Sequence, residues 1–535
     1  MQLLNLPKEI ILAIADELPR SLDVFYFSLA NRTIFHILLP AAYHFNIRHE
    51  HSSALHWAIR NGKLALVRSL IEQFHADINI KHRGTWPIFL AISHEKQAIV
   101  ALLLSQGRVN LHIRTRRHFF TPLLYAAAKG FSSIVEVLVN GNSVEIDASD
   151  GNDRCALWYA VFHGMRSAAQ LLCQAGANIN APDWTGLSPL KLAIKKRDMA
   201  MVKLFLKHIE DTLHTPRHQI GALPQFDQSS LFLASSIGDG SMIQLLVACG
   251  VDPNTRNERG ESPLHLAATF GHDLAIKILL GEPGIDINAQ DDMGATALWC
   301  ASKQNHYQVA KRLLTEHDVE VNVVVESIVI IQRTTSLHHG VQHGNKRLIH
   351  LLLQQRSINP NITNSGGMTP LAEAAYRGSH TIVRLLLKHK HINVNASGKG
   401  NPTPLCQAAT AGHARVVKEL LTHPNININE PASYDGSSAL LIAAMTGSVE
   451  ITDLLLKDIR VNPHCADRYG RTALWWAAFK GHTVVARHLV GSFRMSISYS
   501  CDPLSVAEEE GHREIAKLIQ AARCSTTSSI NSTAR

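Results

Sequence analysis

One phrase is restated along this chain. "SPLHLAATFGH" at 262–272 returns as "TPLCQAATAGH" at 403–413, "TALWWAAFKGH" at 472–482 and "SALHWAIRNGK" at 53–63. Repetition at a fixed interval constrains a fold strongly, because every copy must solve the same packing problem against the next. Taking the Leu of "SPL" or "TPL" as anchor, the copies fall at Leu55, Ile88, Leu123, Leu157, Leu190, Leu231, Leu264, Leu298, Leu337, Leu371, Leu405, Leu440, Leu474 and Leu504. Ten of the thirteen intervals are 33 to 35 residues; the others are 41, 39 and 30. Three residues after the anchor stands Ala in every copy except one, where it is Gly340. Seven after it stands Gly, except at Glu95, Arg197 and Asn305. Fifteen after it stands Leu, Phe205 or Ile519.

Each position has a physical task. Ser, Thr or Asp two before the anchor accepts bonds from the free N–H groups of a helix start, and Pro just before the anchor suits the first helical position. Ala lets two helices approach closely. Gly ends the short helix in a left-handed turn that costs it little. A second helix follows, with an "LL" pair on its buried face, as in "AIKILL" at 275–280. An Asn/Asp- and Gly-bearing stretch such as "NAQDDMG" at 288–294 then reads as a turn. No single copy can bury its own apolar face, so the copies must stack.

The unit resembles the ankyrin repeat, which "SPLHLAATFGHDLAIKILL" (262–280) matches almost throughout. The resemblance spans about residues 51–523, some fourteen repeats, and implies an all-α fold: a solenoid of helix-turn-helix units with projecting hairpin loops. It implies protein binding through loop tips and the inner helices. Five and six residues after the anchors, on the expected concave flank, stand Phe162, His163, Phe270, Tyr376, Arg377, Met445, Phe479 and Lys480. Loop tips add Trp184, Arg468 and Tyr469. Aromatic side chains beside Arg make good binding anchors, so these eleven are the expected target-binding residues.

Two places break step. Residues 209–228, "IEDTLHTPRHQIGALPQFDQ", hold two prolines and read as an enlarged loop. Residues 319–331, "VEVNVVVESIVII", lack the usual turn; they read as a diverged hairpin buried under its neighbours, or as an apolar docking patch or aggregation-prone strand. The last copy carries polar "AEEEGH" (507–512), which suits a terminal cap, and "CSTTSSINSTAR" (524–535) reads as a disordered tail.

The first fifty residues are not a repeat. "LLNLPKEIILAIADELP" places Leu6, Ile10, Ile14 and Leu18 on one helical stripe. A second apolar stretch, Asn31-Arg32 and a late Leu39-Pro40-x-x-Tyr43 follow. So small a helical module, residues 1–45, buries little by itself. It resembles an F-box, as in fungal proteins that join an F-box directly to ankyrin repeats; a plain amphipathic cap on the array is the alternative. The resemblance implies a Skp-type adaptor of a cullin ubiquitin ligase as partner, with Leu6, Pro7, Ile10, Ile14 and Leu18 as adaptor-binding residues. The link at 41–52, "AAYHFNIRHEHS", is too short and too apolar for a free tether, and is expected to be a semi-rigid arm.

Composition removes other classes. The chain of 535 residues is 46% hydrophobic and 18% charged, with a net charge of +8, which permits nucleic-acid contact without arguing for it. No apolar run suits a membrane helix, and "MQLLNLPKEI" carries Pro, Lys and Glu too early for a secretory leader. Eight cysteines without a C-x-x-C pair read as reduced core thiols of an intracellular protein, cytoplasmic or nuclear. Many of the 31 histidines sit at repeat positions; His339 and His343 lie four apart, but no acidic third ligand is evident. No nucleotide-binding, nucleophile-elbow or zinc-protease motif occurs, so no catalytic residue, cofactor or metal is expected. "RTRRH" (114–118) and "KKR" (195–197) are basic clusters that read as solvated surface, as contacts to an acidic target or a phosphate, or as nuclear-import or nucleic-acid-binding segments. The expected function is therefore substrate receptor of an SCF-type ligase; the alternatives are a scaffold without a ubiquitin role and a chromatin- or nucleic-acid-associated protein.

Overall fold

The computed structural model describes residues 43, 46–47, 53–141, 144–223, 226–316, 318–327, 332–396, 398, 401–431, 435–492 and 501–533. They form fourteen helix pairs, one per anchor, from Ser53–Arg60 with Leu64–Glu72 to Pro503–Glu509 with Arg513–Thr533. The first helix of each pair is called inner and the second outer. The chain divides into two compact units: residues 1–234 with 244–252, and 235–243 with 253–535. Within each unit, inner helices pack on inner helices and outer on outer in chain order.

The repeat code has a direct structural meaning. Twelve of the Leu and Ile anchors are at most 1% exposed; Leu474 is nearly so and Leu504 half-buried. All thirteen Ala residues three further on have no exposed surface. At the one exception, a methyl on Gly340 would lie 3.0 Å from Ile349 Cγ1, so the seam is already closed without it. The inner helices are capped as the spacing predicts: Thr121, Ser188, Thr369 and Thr472 accept amides at 3.2–3.3 Å. Cys155 fills the same place with sulfur, taking Trp158 N–H at 3.4 Å.

The residue seven after the anchor is left-handed in all fourteen repeats, with φ between +55° and +80°. Glu95, Arg197 and Asn305 obey this geometry without being glycine. The turn is therefore imposed by the packing of the two helices, and glycine is only its least strained occupant.

At the other end of the helices the loops are tied by carboxamides. In the second unit Asn254, Asn288, Asn322, Asn361, Asn395 and Asn429 each donate to a carbonyl of the next repeat at 2.6–2.9 Å. Each also accepts an amide from that repeat at 2.7–2.9 Å. In the first unit Asn79 does the same with Arg108 and Asn110.

The irregular stretches resolve differently from each other. Residues 209–228 are not simply a loop: the outer helix Met199–Leu213 runs into them, and a 3-10 helix spans Arg217–Ala222. Nothing in "IEDTL" stops a helix before Pro216. Of 319–331, Val325–Ser327 pairs antiparallel with Gln332–Thr334, and buried Val325 packs with Ala295 and Trp299, in keeping with a hairpin; 328–331 lie outside the described residues. The last helix continues to Thr533, into the stretch for which composition predicts disorder; no Gly or Pro follows Gly511 to end it.

Candidate protein-binding surfaces

Each compact unit carries one aromatic–arginine platform. In the second, "DRYGRTALWWAAFKG" (467–481) bends around Asp467, whose Oδ1 accepts the amides of Tyr469 and Arg471 at 2.9 Å. Its Oδ2 accepts Arg471 Nε at 2.7 Å and Trp476 Nε1 at 3.2 Å. So held, the Arg471 guanidinium lies 4.5 Å from the Tyr469 ring and 4.3 Å from that of Trp476. Trp475 stacks on Phe479 at 5.2 Å, and the Lys480 ammonium stands 5.1 Å from the Phe479 ring. Tyr469 is 68% exposed, so the platform ends in an open ring.

The first unit repeats the arrangement with "DGNDRCALWYAVFHG" (150–164). Asp150 accepts the Arg154 amide at 2.9 Å and the Tyr159 hydroxyl at 2.7 Å. Arg154 lies 4.7 Å from the Trp158 ring, and Trp158 stacks on Phe162 at 5.4 Å. Phe162 remains 48% exposed.

The expected target residues separate into three groups. Phe162, Trp184, Phe270, Tyr376, Arg377, Arg468, Tyr469 and Lys480 are exposed. Met445 and Phe479 are only half-buried rather than open: Phe479 spends one face on Trp475 of its own helix. His163 is exposed but engaged, with Nε2 3.0 Å from Ala128 O of the preceding repeat. Sequence reasoning missed Trp57 and Phe119, 55% and 54% exposed. Trp57 lines a surface cavity of about 540 Å³ with Gly62, Lys63, Leu64, Ala65 and Leu66. A Trp two after the anchor, inside "ALHWA", was the available signal.

The histidines form inter-repeat bonds. Nε2 of His272, His306, His413 and His482 reaches a carbonyl of the preceding repeat at 2.8–3.2 Å. His265 and His338 bridge the cap residue of their own helix to the next repeat, at Ala295 O and Met368 O. His339 packs edge-on to Trp299, and burial pushes both His338 and His339 down to about 4. His343 Nε2 lies 2.7 Å from Lys303 O. Among the described residues no group of His, Cys, Asp or Glu has metal-holding geometry. Cys155, Cys173, Cys249, Cys300, Cys406, Cys465 and Cys501 are free thiols, and burial pushes Cys173, Cys300 and Cys406 up to about 12.

Leu6, Pro7, Ile10, Ile14 and Leu18 lie outside the described residues. Part of the link is described. The Tyr43 ring meets Phe74 edge-on at 5.3 Å, and Asn46 accepts the Ala54 amide at 2.8 Å and donates to Ser53 Oγ at 2.6 Å. No described helix is long and apolar enough to cross a membrane.

Stacked helix pairs that present aromatic and cationic side chains at recurring positions define a helical-repeat binding protein. The sequence profile "Ankyrin repeats (3 copies)" matches residues 26–116, 107–183, 231–325, 337–432, 405–497 and 440–530, and the chain belongs to the ankyrin-repeat family. It is 25% identical over 181 residues to putative ankyrin repeat protein L371 of Acanthamoeba polyphaga mimivirus, covering 28% of this chain and 24% of the relative. It is 27% identical over 192 residues to ankyrin repeat protein nuc-2 of Neurospora crassa, covering 31% and 18%. It is 28% identical over 176 residues to human neurogenic locus notch homolog protein 2, covering 30% and 7%. The chain thus spans less than a quarter of the length of each of these relatives.

Proposed function

We propose that the chain is a non-catalytic substrate receptor of an SCF-type ubiquitin ligase. Residues 1–45 dock on a Skp-type adaptor through Leu6, Pro7, Ile10, Ile14 and Leu18, and the ankyrin array holds the target protein. The exposed rings of Tyr469 and Phe162, each beside a cation, carry the target-binding half of this reading. The adaptor half rests on the F-box resemblance. The contacts of Tyr43 and Asn46 with the first repeat support a semi-rigid arm, which would present the target at a set distance from the adaptor.

Co-purification with a Skp-type adaptor tests it. Wild type should capture the adaptor, and the double variant Leu6→Ala with Pro7→Ala should lose it while the repeats keep their helical circular dichroism. Absence of capture by the wild type leaves an ankyrin scaffold without a ubiquitin role. Independently, Tyr376→Ala with Phe479→Ala should weaken target capture at least about tenfold, or about 1.4 kcal/mol. Unchanged recovery in proximity labelling would move the target site elsewhere.

A further inference from the structure

The edge of the first compact unit where inner helices turn into outer ones is a file of cations. Four of its five repeats carry it: Arg60 and Lys63, then Lys96, then Lys129, and, past His163 in the fourth, Lys195, Lys196 and Arg197. Against these stand Glu95 and Asp198, and Asp198 is already taken by Arg166 at 3.1 Å. Arg60, Lys63, Lys129, Lys195 and Lys196 are exposed. Among the described residues none of Arg60, Lys63, Lys96, Lys129, Lys195 and Lys196 has a carboxylate within ion-pair distance. The corresponding positions of the second unit carry mainly neutral or His side chains, with Lys303, Arg377 and Lys480 offset by Asp239, Glu509 and Glu510.

Contacts tie most neighbouring rungs of the file together. The Lys96 side chain lies across the Gly62 turn, where an added Cβ would meet its Cε at 3.2 Å. Lys196 Nζ bonds Phe162 O of the preceding repeat and stands 5.2 Å from the Phe162 ring. His163 reaches Ala128 O in the same way. These contacts join three of the four neighbouring pairs of rungs, and the packed inner helices set all of them roughly 10 Å apart.

We infer that this turn edge of the first unit binds an extended acidic protein segment with a carboxylate at about every third residue. Three residues of extended chain cover roughly 10 Å, which is the rung spacing. A duplex nucleic acid, with a charge per ~1.7 Å of axis, needs a broad cationic face rather than a single file. Single strands need open rings to stack on. Two rings stand near this edge three repeats apart, too far to stack neighbouring bases: Trp57, exposed beside Lys63, and Phe162, with Trp158 on one face and Lys196 beside it. The inference deepens the reading of the array as a target-binding protein by giving one ligand class and a place distinct from Tyr376 and Phe479.

The test titrates the full chain with a fluorescent peptide of four Glu-Gly-Ser triplets, ~40 Å when extended. The comparison probes are the same composition with its glutamates clustered at one end, oligouridylate RNA, and phosphatidylserine vesicles. The spaced peptide should bind best, with affinity falling as salt rises. Lys63→Glu, Lys96→Glu, Lys129→Glu and Lys196→Glu together should weaken it at least tenfold. Lys129→Glu with Lys195→Glu, both on exposed side chains, should weaken it several-fold and guards against misfolding of the fourfold variant. Tyr376→Ala with Phe479→Ala should leave it unchanged, so this site and the target site of the second unit can fail separately. Preference for RNA or vesicles, equal binding of the clustered peptide, indifference to charge reversal, or no binding at all would overturn the inference.

Discussion

In the second compact unit the left-handed residue at the helix turn is followed by His in His272, His306, His413, His482 and His512; in the first it is followed by Lys63, Lys96, Phe131, Met165 and Asp198. The backbone is the same in both. In the second unit the imidazole lies where a glycine side chain would be, so that a Cβ on Gly271, Gly378 or Gly447 would sit 2.6–2.7 Å from a ring atom. In the first unit Glu95 and Arg197 occupy the left-handed position themselves, and lysines line the edge. One turn geometry thus serves two purposes: an imidazole-bonded seam in one region and a lysine-lined edge in the other. Glycine there answers two demands, backbone and neighbour, and only the second distinguishes the regions.

The harshest way to break the comparison acts on what the two regions share. Ala267→Glu and Ala193→Glu each place an unpaired charge in a closed inner-helix seam, at a cost on the order of 3 to 5 kcal/mol in either unit. Hydrogen-exchange protection should fall mainly in the adjoining repeats. Uniform loss along all repeats would show coupling beyond nearest neighbours.

Acid should separate the regions next. Folded His338 and His339, held down to about 4, stay neutral while the unfolded chain protonates near pH 6.5. Their contribution is complete above about pH 6.5 and is lost as pH falls towards 4, for His338 on the order of 3 kcal/mol. Glu373, whose carboxyl burial holds above the usual range, works in the opposite sense. Hydrogen exchange at pH 7.5 and pH 5 should show the repeats around 336–353 opening first in acid, and His339→Gln should reduce that response.

Gly378 and Gly412 then isolate the imidazole. Both have φ +74°, but a Cβ at Gly378 meets His413 at 2.7 Å and one at Gly412 meets nothing within 4 Å. Gly412→Ala should cost about 1 to 2 kcal/mol, the price of a left-handed Ala. Gly378→Ala should cost roughly 1 kcal/mol more, because the ring must leave its bond to Tyr376 O. Equal midpoint shifts in urea would mean that the ring moves freely. The smallest effect runs the other way: Glu95→Gly or Arg197→Gly should stabilise the first unit by about 0.5 to 1 kcal/mol.

The seam was legible in the sequence. The Ala and Gly positions and the apolar residue fifteen after the anchor report local packing, and they recur because that packing recurs. The candidate site was legible only in part. Phe162 and Phe479 stand four residues after Trp158 and Trp475, a spacing that stacks side chains on one helix face, and reading them only as repeat positions overlooked this. The outer helix that extends to Leu213 was hidden by Pro216 and Pro224, which suggested a loop although neither stands within the helix. The charge of the first unit's edge is spread over five repeats and forms a cluster only when they are stacked.

The carboxamides of the second unit have a mechanical consequence. From Asn254 to Asn429, each loop base is joined to the next by two opposed hydrogen bonds, while the histidines fasten many turns at the far end of the helices. A stack fastened along both margins resists fanning open about either, since splaying one margin strains a bond in every repeat it passes. Under tension the second unit should yield one repeat at a time, each rupture releasing a contour of about 34 residues, ~110 Å when extended.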